Sequence, residues 1–132
     1  MSYKPICWDF SEIENPPIPI IPIKITSSNQ ISVIIDFKID SGYAGALGIT
    51  PEIVQKLELK KMGLTPITTP TGEKNVPYYL IHVDNEDWGL NLSKAYALDT
   101  PRLLTGRSLF KGKKILLDFK EGQTCALIND SS

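Results

Sequence analysis

Apolar and polar residues alternate along much of this chain, which is the period of two expected of β-strands with one buried face. The clearest run covers residues 31–39, where valine, isoleucine and phenylalanine recur at every second position. A polar turn at 27–30 joins it to an earlier apolar run at 18–25, so we expect a β-hairpin. Four prolines between residues 16 and 22 remove backbone donors, which predicts that the earlier run is an edge strand.

One short helix is predicted after this hairpin. Thr50 is a good N-cap residue, and Pro51 has the fixed backbone angle that suits a first helical position. Ile53 and Leu57 lie four residues apart and therefore share one helical face.

The rest of the chain again favours strands. Residues 1–14 are weakly patterned and allow one short strand. Later elements are expected at 64–82 (a hairpin with its tip at 70–74), 88–97, 103–110 (a strand passing into a short helical turn) and 115–128 (a last hairpin). No repeat or linker interrupts the pattern, so we predict one mainly β domain.

Composition excludes several classes of protein. The chain has 132 residues, 42% of them apolar, which suits one domain with a modest core. A formal net charge of −1 gives no indication of nucleic acid or an anionic membrane as a partner. No apolar run approaches the ~20 residues of a membrane span, and the first residues lack the apolar core of a signal peptide. We therefore expect a cytoplasmic protein.

The two cysteines, Cys7 and Cys125, lack the spacing of a zinc site, and His82 is the single histidine. We expect no metal and no cofactor, and we expect His82 to be a partly buried strand residue. The cysteines are predicted to be reduced, half-buried thiols. The alternative is that both terminal strands meet in one sheet and bring the thiols close together.

The sequence Asp40-Ser41-Gly42 follows directly on the apolar run 31–39, so a strand would present a carboxylate at its tip. Peptide hydrolysis by carboxylates requires two of them about 3 Å apart, sharing one proton. The other candidate, Asp99-Thr100-Pro101, is interpreted as a turn because proline has no backbone donor and crowds the approach. The second carboxylate must then come from another copy of the chain, across a two-fold axis.

Two segments carry a family resemblance. Residues 40–51, with the apolar positions that follow up to 59, resemble the retropepsin-like aspartic proteases, and most closely their small prokaryotic members. Residues 103–109 resemble the second signature of that family. The resemblance implies a single-domain closed β-barrel with one or two short helices and a flap hairpin, acting as a two-fold homodimer. It implies a protease domain at 17–128, an N-terminal segment at 1–16 that packs at the dimer interface, and a tail at 129–132.

The resemblance also assigns the catalytic positions. Asp40 would supply the catalytic carboxylate of each subunit, the Ser41 hydroxyl would bond the partner's backbone, and the Gly42 amide would donate toward Asp40. Gly106 would pack behind the active-site loop, and Arg107 would be a structural anchor.

An extended peptide or protein substrate would lie between that loop and the flap. The residues expected to contact it are Tyr43, Ala44, Thr71, Gly72 and Glu73. Three departures stand out: serine replaces the commoner threonine at 41, Thr105 stands where an apolar residue is usual, and no acid follows Gly42 closely to pair with Arg107.

Other classes of function remain open from the residues alone. Gly42, Gly45 and Gly48 lie between a strand and a helix, as in a phosphate-binding loop, although the preceding acid would repel phosphate. Lysines at 111, 113 and 114 could contact nucleic acid, but a solvated helix end explains them better. A catalytically inactive dimeric module that binds peptides with the same fold is the stronger alternative.

Overall fold

The computed structural model describes residues 2–129 and is mainly β, as predicted. Its elements, in chain order, are β1 (Tyr3–Asp9), β2 (Ile20–Thr26), β3 (Ser32–Ile39), β4 (Leu47–Ile49), α1 (Pro51–Lys56), β5 (Gly63–Thr69), β6 (Gly72–Asn85), β7 (Leu90–Asp99), β8 (Leu104–Thr105), α2 (Arg107–Phe110), β9 (Ile115–Asp118) and β10 (Gln123–Asn129). Apart from Asn129, the predicted tail lies outside the described residues. No helix in this part of the chain is long and apolar enough to cross a membrane.

The larger sheet has seven strands in the order β2-β3-β8-β4-β7-β6-β5, and β2 also pairs with β6. The first predicted hairpin is confirmed: β2 and β3 pair antiparallel from Ile20↔Lys38 to Thr26↔Ser32. Strand β8 then joins β3 in parallel, so the segment after Leu104 runs beside the end of β3. This pairing brings the two sequence signatures together.

The core follows the alternation in β2 and β3. Ile21, Ile23 and Ile25 are fully buried, as is Phe37 on β3, whereas Lys24 is exposed. Each such side chain stabilises the fold by roughly 1.5–3 kcal/mol through the apolar surface it removes from water. The buried face of the hairpin therefore fixes its register, since a slip of one residue would move Ile21, Ile23 and Ile25 to the exposed face.

The sequence pattern does not predict strand β4 (Leu47–Ile49). Three residues are too few to show a period, yet all three are buried. They pair in parallel with β7 and antiparallel with β8. A Cβ on Gly48 would lie 2.5 Å from the Thr100 hydroxyl oxygen, so glycine is needed there for close packing.

The predicted helix is confirmed, with Thr50 as the N-cap residue and Pro51 in the first turn. The Thr50 side chain makes no capping hydrogen bond. The start of the helix therefore rests on the backbone angle that proline fixes.

The smaller sheet has the order β1-β10-β9 and joins the two ends of the chain. Cys7 lies opposite Cys125 in the antiparallel register, and the two form a disulfide across 118 residues of sequence. The prediction of reduced thiols is wrong in this structure. The alternative, in which both terminal strands meet in one sheet, is confirmed, and that pairing brings the sulfur atoms together.

Candidate active site

Asp40 lies at the carboxyl end of β3, between two neighbouring segments of backbone. Its own N–H donates to the Thr105 carbonyl (2.9 Å), and the preceding N–H of Ile39 donates to the Pro19 carbonyl (3.1 Å). The acid is half-buried. The backbone that carries the carboxylate is thus held from both sides by elements distant in sequence.

A tight turn orients the carboxylate. The Gly42 N–H donates to Oδ1 of Asp40 at 2.9 Å, as the resemblance implied, and the Tyr43 N–H donates to the Asp40 carbonyl at 3.1 Å. Ser41 is exposed, and its hydroxyl forms no hydrogen bond within residues 2–129. That hydroxyl is therefore available to a group from outside this chain.

The segment from β8 into α2 supports the Asp40 loop from behind. A Cβ on Gly106 would lie 2.3 Å from the Tyr43 carbonyl oxygen and 2.5 Å from that of Gly45, so only glycine allows this approach. The Gly106 N–H donates to the Ala46 carbonyl at 3.1 Å, and the Arg107 N–H donates to the Tyr43 carbonyl at 2.9 Å. The backbone at 106–107 is therefore bonded directly to the loop.

Two hydroxyl groups that sequence reasoning did not assign complete this support. The Ser108 hydroxyl donates to the Ala44 carbonyl at 2.5 Å. The Thr105 hydroxyl, fully buried, donates to the Ala46 carbonyl at 3.2 Å. Thr105 stands where the family usually has an apolar residue, and this departure is the sequence signal for its hydroxyl bond. Nothing in the sequence indicates the role of Ser108.

The Arg107 side chain is exposed, and within residues 2–129 it has no ion pair. Its contribution inside one chain comes from its backbone.

The Tyr43 side chain turns inward over the loop. Its hydroxyl donates to the Leu47 carbonyl at 3.0 Å, and a Cβ on Gly45 would lie 2.7 Å from that hydroxyl oxygen. Burial raises the pKa of the Tyr43 phenol to about 12, because the phenolate would lose solvation. Tyr43 thus packs inside the loop, whereas Ala44 beside it is exposed.

The predicted flap hairpin is formed by β5 and β6, and Thr69 pairs with Gly72 across a two-residue tip. Thr71, Gly72 and Glu73 are all exposed. Gly72 has a φ of +124°, a backbone angle that residues other than glycine rarely adopt. The Thr69 hydroxyl donates to the Gly72 carbonyl at 2.7 Å. The hairpin tip is therefore specified by its own residues.

The second acidic motif closes β7 and forms a turn, as predicted. The Thr100 hydroxyl donates to the Arg102 carbonyl at 2.6 Å, and its side chain packs over Gly48. Asp99 lies beside Tyr79, where burial and then the Asp99 carboxylate raise the pKa of the phenol. This motif supports β4 and β7 and does not form a second carboxylate loop like that of Asp40.

The N-terminal segment is joined to the turn after β7. Ser11 pairs with Ile18, and the hairpin between them is fixed to the turn after β7 by a bond of 2.6 Å between Glu14 and Arg102. Both side chains are substantially exposed, so this ion pair adds little stability.

No protein-family model matches the sequence, and no curated protein matches it either. Solved structures do match the fold. A retropepsin-like aspartic protease from Rickettsia conorii superposes with a TM-score of 0.57 at 20% sequence identity, over 92% of this chain and 98% of that chain. The EIAV protease, in complex with the inhibitor HBY-793, superposes with a TM-score of 0.55 at 15% identity, over 77% of this chain and 91% of that chain. The predicted resemblance is confirmed at the level of the fold.

Proposed function

We propose that this chain, which has the retropepsin-like fold, is an aspartic endopeptidase that hydrolyses peptide bonds with Asp40 from two subunits. The observation that carries the proposal is the construction of the Asp40 loop. The carboxylate accepts from Gly42 and the loop is bonded to the segment around Gly106, although 66 residues separate Asp40 from Gly106. A solvated aspartate at an ordinary strand end needs none of this support.

In the proposed reaction, Asp40 of one subunit faces Asp40 of a second copy and the pair shares one proton. The ionised carboxylate removes a proton from a water molecule, which attacks the peptide carbonyl, while the protonated carboxyl polarises that carbonyl. The C–N bond of the tetrahedral intermediate then breaks, as the proton taken from the water passes to the nitrogen of the leaving amine.

The remaining predicted residues take supporting roles in this proposal. The free Ser41 hydroxyl bonds the partner's backbone, and the Ala44 surface and the flap residues Thr71, Gly72 and Glu73 bind an extended peptide through strand-like backbone bonds. Tyr43 acts from inside the loop by holding its shape. Arg107 anchors the loop through its backbone.

The homodimer, the closed barrel and the domain bounds are parts of the same proposal. The extra pairing of β2 with β6 supports a closed barrel, because it joins the two sides of the larger sheet. Residues 17–128 form the protease domain, and the segment at 1–16 packs at the dimer interface. The expected cytoplasmic location stays a prediction, and the Cys7–Cys125 bridge argues against it because the cytosol keeps most thiols reduced.

The test compares Asp40→Asn with Asp36→Asn, which removes an exposed acid from the same strand. Cleavage of a quenched fluorescent peptide library is measured from acidic to neutral pH, and ultracentrifugation measures the dimer. We expect Asp40→Asn to lower cleavage by roughly 10³-fold or more while the dimer remains, and Asp36→Asn to cleave normally. Absence of cleavage by the wild type, together with saturable peptide binding, would instead establish the inactive binding module.

A further inference from the structure

An open groove of about 710 Å³ lies where β2 meets β6. In the antiparallel register of these strands, the backbone of Lys24 lies opposite that of Asp84, and Thr26 lies opposite His82. The other end of β2, at Ile20, is the end that lies beside the Asp40 loop. Six residues of strand separate Ile20 from Thr26, a distance of about 20 Å. The groove is therefore separate from the candidate active site.

Positive charge collects along this groove. Lys24, Lys60 and Lys94 line it, and within residues 2–129 none of them has an ion-pair partner. The acid among the lining residues is Asp84, whose carboxylate lies 3.5 Å from Nε2 of His82. Since the whole chain has a formal charge of −1, these lysines form a local basic site on a nearly neutral protein.

The backbone is irregular where it forms the groove. Ile81 pairs with Ala95 and Val83 with Leu92, so His82 on β6 faces two residues of β7, one of which is Lys94. Such a bulge redirects side chains and is common next to binding sites. This bulge places Lys94 on the groove.

Two residues with left-handed backbone lie at or beside the groove. Within residues 2–129 the non-glycine residues with positive φ are Gln30, at 64°, and Glu58, at 52°. Gln30 lines the groove, and Glu58 directly precedes the lining segment that contains Lys60. Gln30 closes the turn between β2 and β3, and Glu58 follows the C-cap of α1, so both residues belong to chain reversals that border the groove.

The spacing of the lysines indicates the ligand. Lys24 is on β2 and Lys94 on β7, which lie on either side of β6, so their backbones are about 10 Å apart. Lys60 comes from a third segment. Cations spread in this way match several carboxylates along a chain better than they match one compact anion. Apolar side chains, including Met62 and Leu80, line the same groove and suit the apolar residues of a peptide.

We propose that this groove binds an acidic peptide segment in which carboxylate side chains alternate with apolar ones. The carboxylates pair with Lys24, Lys60 and Lys94, while the apolar side chains contact Met62 and Leu80. The site is independent of the Asp40 reaction: it holds an acidic segment of a partner protein whether or not that protein is cut.

The test uses a fluorescently labelled peptide of alternating glutamate and leucine, with a glutamine–leucine peptide of the same length for comparison. Binding is measured by fluorescence anisotropy at low and at physiological salt. The triple variant Lys24→Gln, Lys60→Gln and Lys94→Gln removes the proposed partners. The matched control, Lys4→Gln, Lys111→Gln and Lys120→Gln, removes the same charge at three exposed positions outside the groove.

We expect the wild type to bind the glutamate peptide saturably, more weakly as salt screens the charges, and to bind the glutamine peptide at least about tenfold more weakly. The groove variant should lose about tenfold in affinity or more, and the control variant less than about twofold. Asp40→Asn should bind as the wild type does, which separates this site from the peptidase reaction. The proposal is overturned if the wild type does not bind, if both peptides bind equally, or if the two triple variants weaken binding equally while both melt cooperatively.

Discussion

Replacing Gly106 with alanine tests whether the second signature holds the Asp40 loop by direct packing. The φ of Gly106 is −129°, an angle that alanine adopts freely, so any effect comes from the added methyl group. That methyl carbon would lie 2.3 Å from the Tyr43 carbonyl oxygen and 2.5 Å from that of Gly45. Ordinary contact begins near 3.4 Å, so the loop must move by about 1 Å.

A movement of this size breaks the bonds that join the two segments. The Gly106 N–H to the Ala46 carbonyl, the Arg107 N–H to the Tyr43 carbonyl and the Ser108 hydroxyl bond each contribute about 1 kcal/mol net. Overpacking adds about 1–3 kcal/mol. We expect Gly106→Ala to lose roughly 4–6 kcal/mol of unfolding free energy, a large part of the 5–15 kcal/mol typical of a domain.

The assay is urea denaturation followed by tryptophan fluorescence, with Gly112→Ala as the control. Gly112 has a φ of +77° and open space around its Cβ position, so alanine there strains only the backbone, by about 1–2 kcal/mol. In Gly106→Ala, the displaced carboxylate of Asp40 should also lower peptide cleavage by about 10²-fold, beyond any loss of folded protein. A loss below about 1 kcal/mol for Gly106→Ala, or equal losses for both variants, would refute the reasoning.

Three further predictions concern other parts of the fold. Tyr43→Phe should reduce the loss of stability at alkaline pH. The phenol ionises above pH 10 in the unfolded wild type and only above about 12 in the folded one, so the wild-type free energy of unfolding falls across that window; a difference in urea midpoint between the two proteins that stays constant from pH 10 to 12 would contradict this. Asn85→Ala should cost about 2–4 kcal/mol of unfolding free energy in urea denaturation, because the buried amide donates to the Pro22 carbonyl and accepts the Trp88 N–H; Asn85→Asp, which sets a carboxylate oxygen against the Pro22 carbonyl, should cost at least as much. Cys7→Ser with Cys125→Ser should cost about 2–5 kcal/mol, and dithiothreitol should then have no further effect on the melting temperature, a result that fails if the wild type is equally insensitive.

Much of the fold could be predicted because local pattern and tertiary burial agree. The alternation over 31–39 places Phe37 in the core, and the turn at 27–30 leaves a single sensible partner for that strand. Thr50 and Pro51 likewise define the start of α1 without tertiary help. The residues that determine each of these elements lie within a short stretch of sequence.

The pairings that depend on distant segments could not be predicted in the same way. The terminal strand β1 shows little alternation because most of its side chains are exposed, so its pairing with β10, which sets Cys7 opposite Cys125, is an alternative that the pattern alone does not select. Strand β4 is hidden in a glycine-rich stretch and is defined by its neighbours β7 and β8.

The candidate site divides along the same line. Asp40, Gly42 and Gly106 stand in recognisable motifs, and the structure places all three around one loop. The hydrogen bond from Ser108 could not be predicted, because the sequence does not show that this exposed serine lies 2.5 Å from the Ala44 carbonyl. The basic groove is likewise an assembly of three separate segments, each ordinary in isolation.

The order β1-β10-β9 of the terminal sheet has a consequence for how two copies can meet. Strand β10 is hydrogen-bonded on both sides by strands of its own chain. A strand from another molecule that joins this sheet can therefore add only at the outer edge of β1 or of β9. In the proposed dimer, each subunit then completes this sheet with its own strands and exchanges none with its partner.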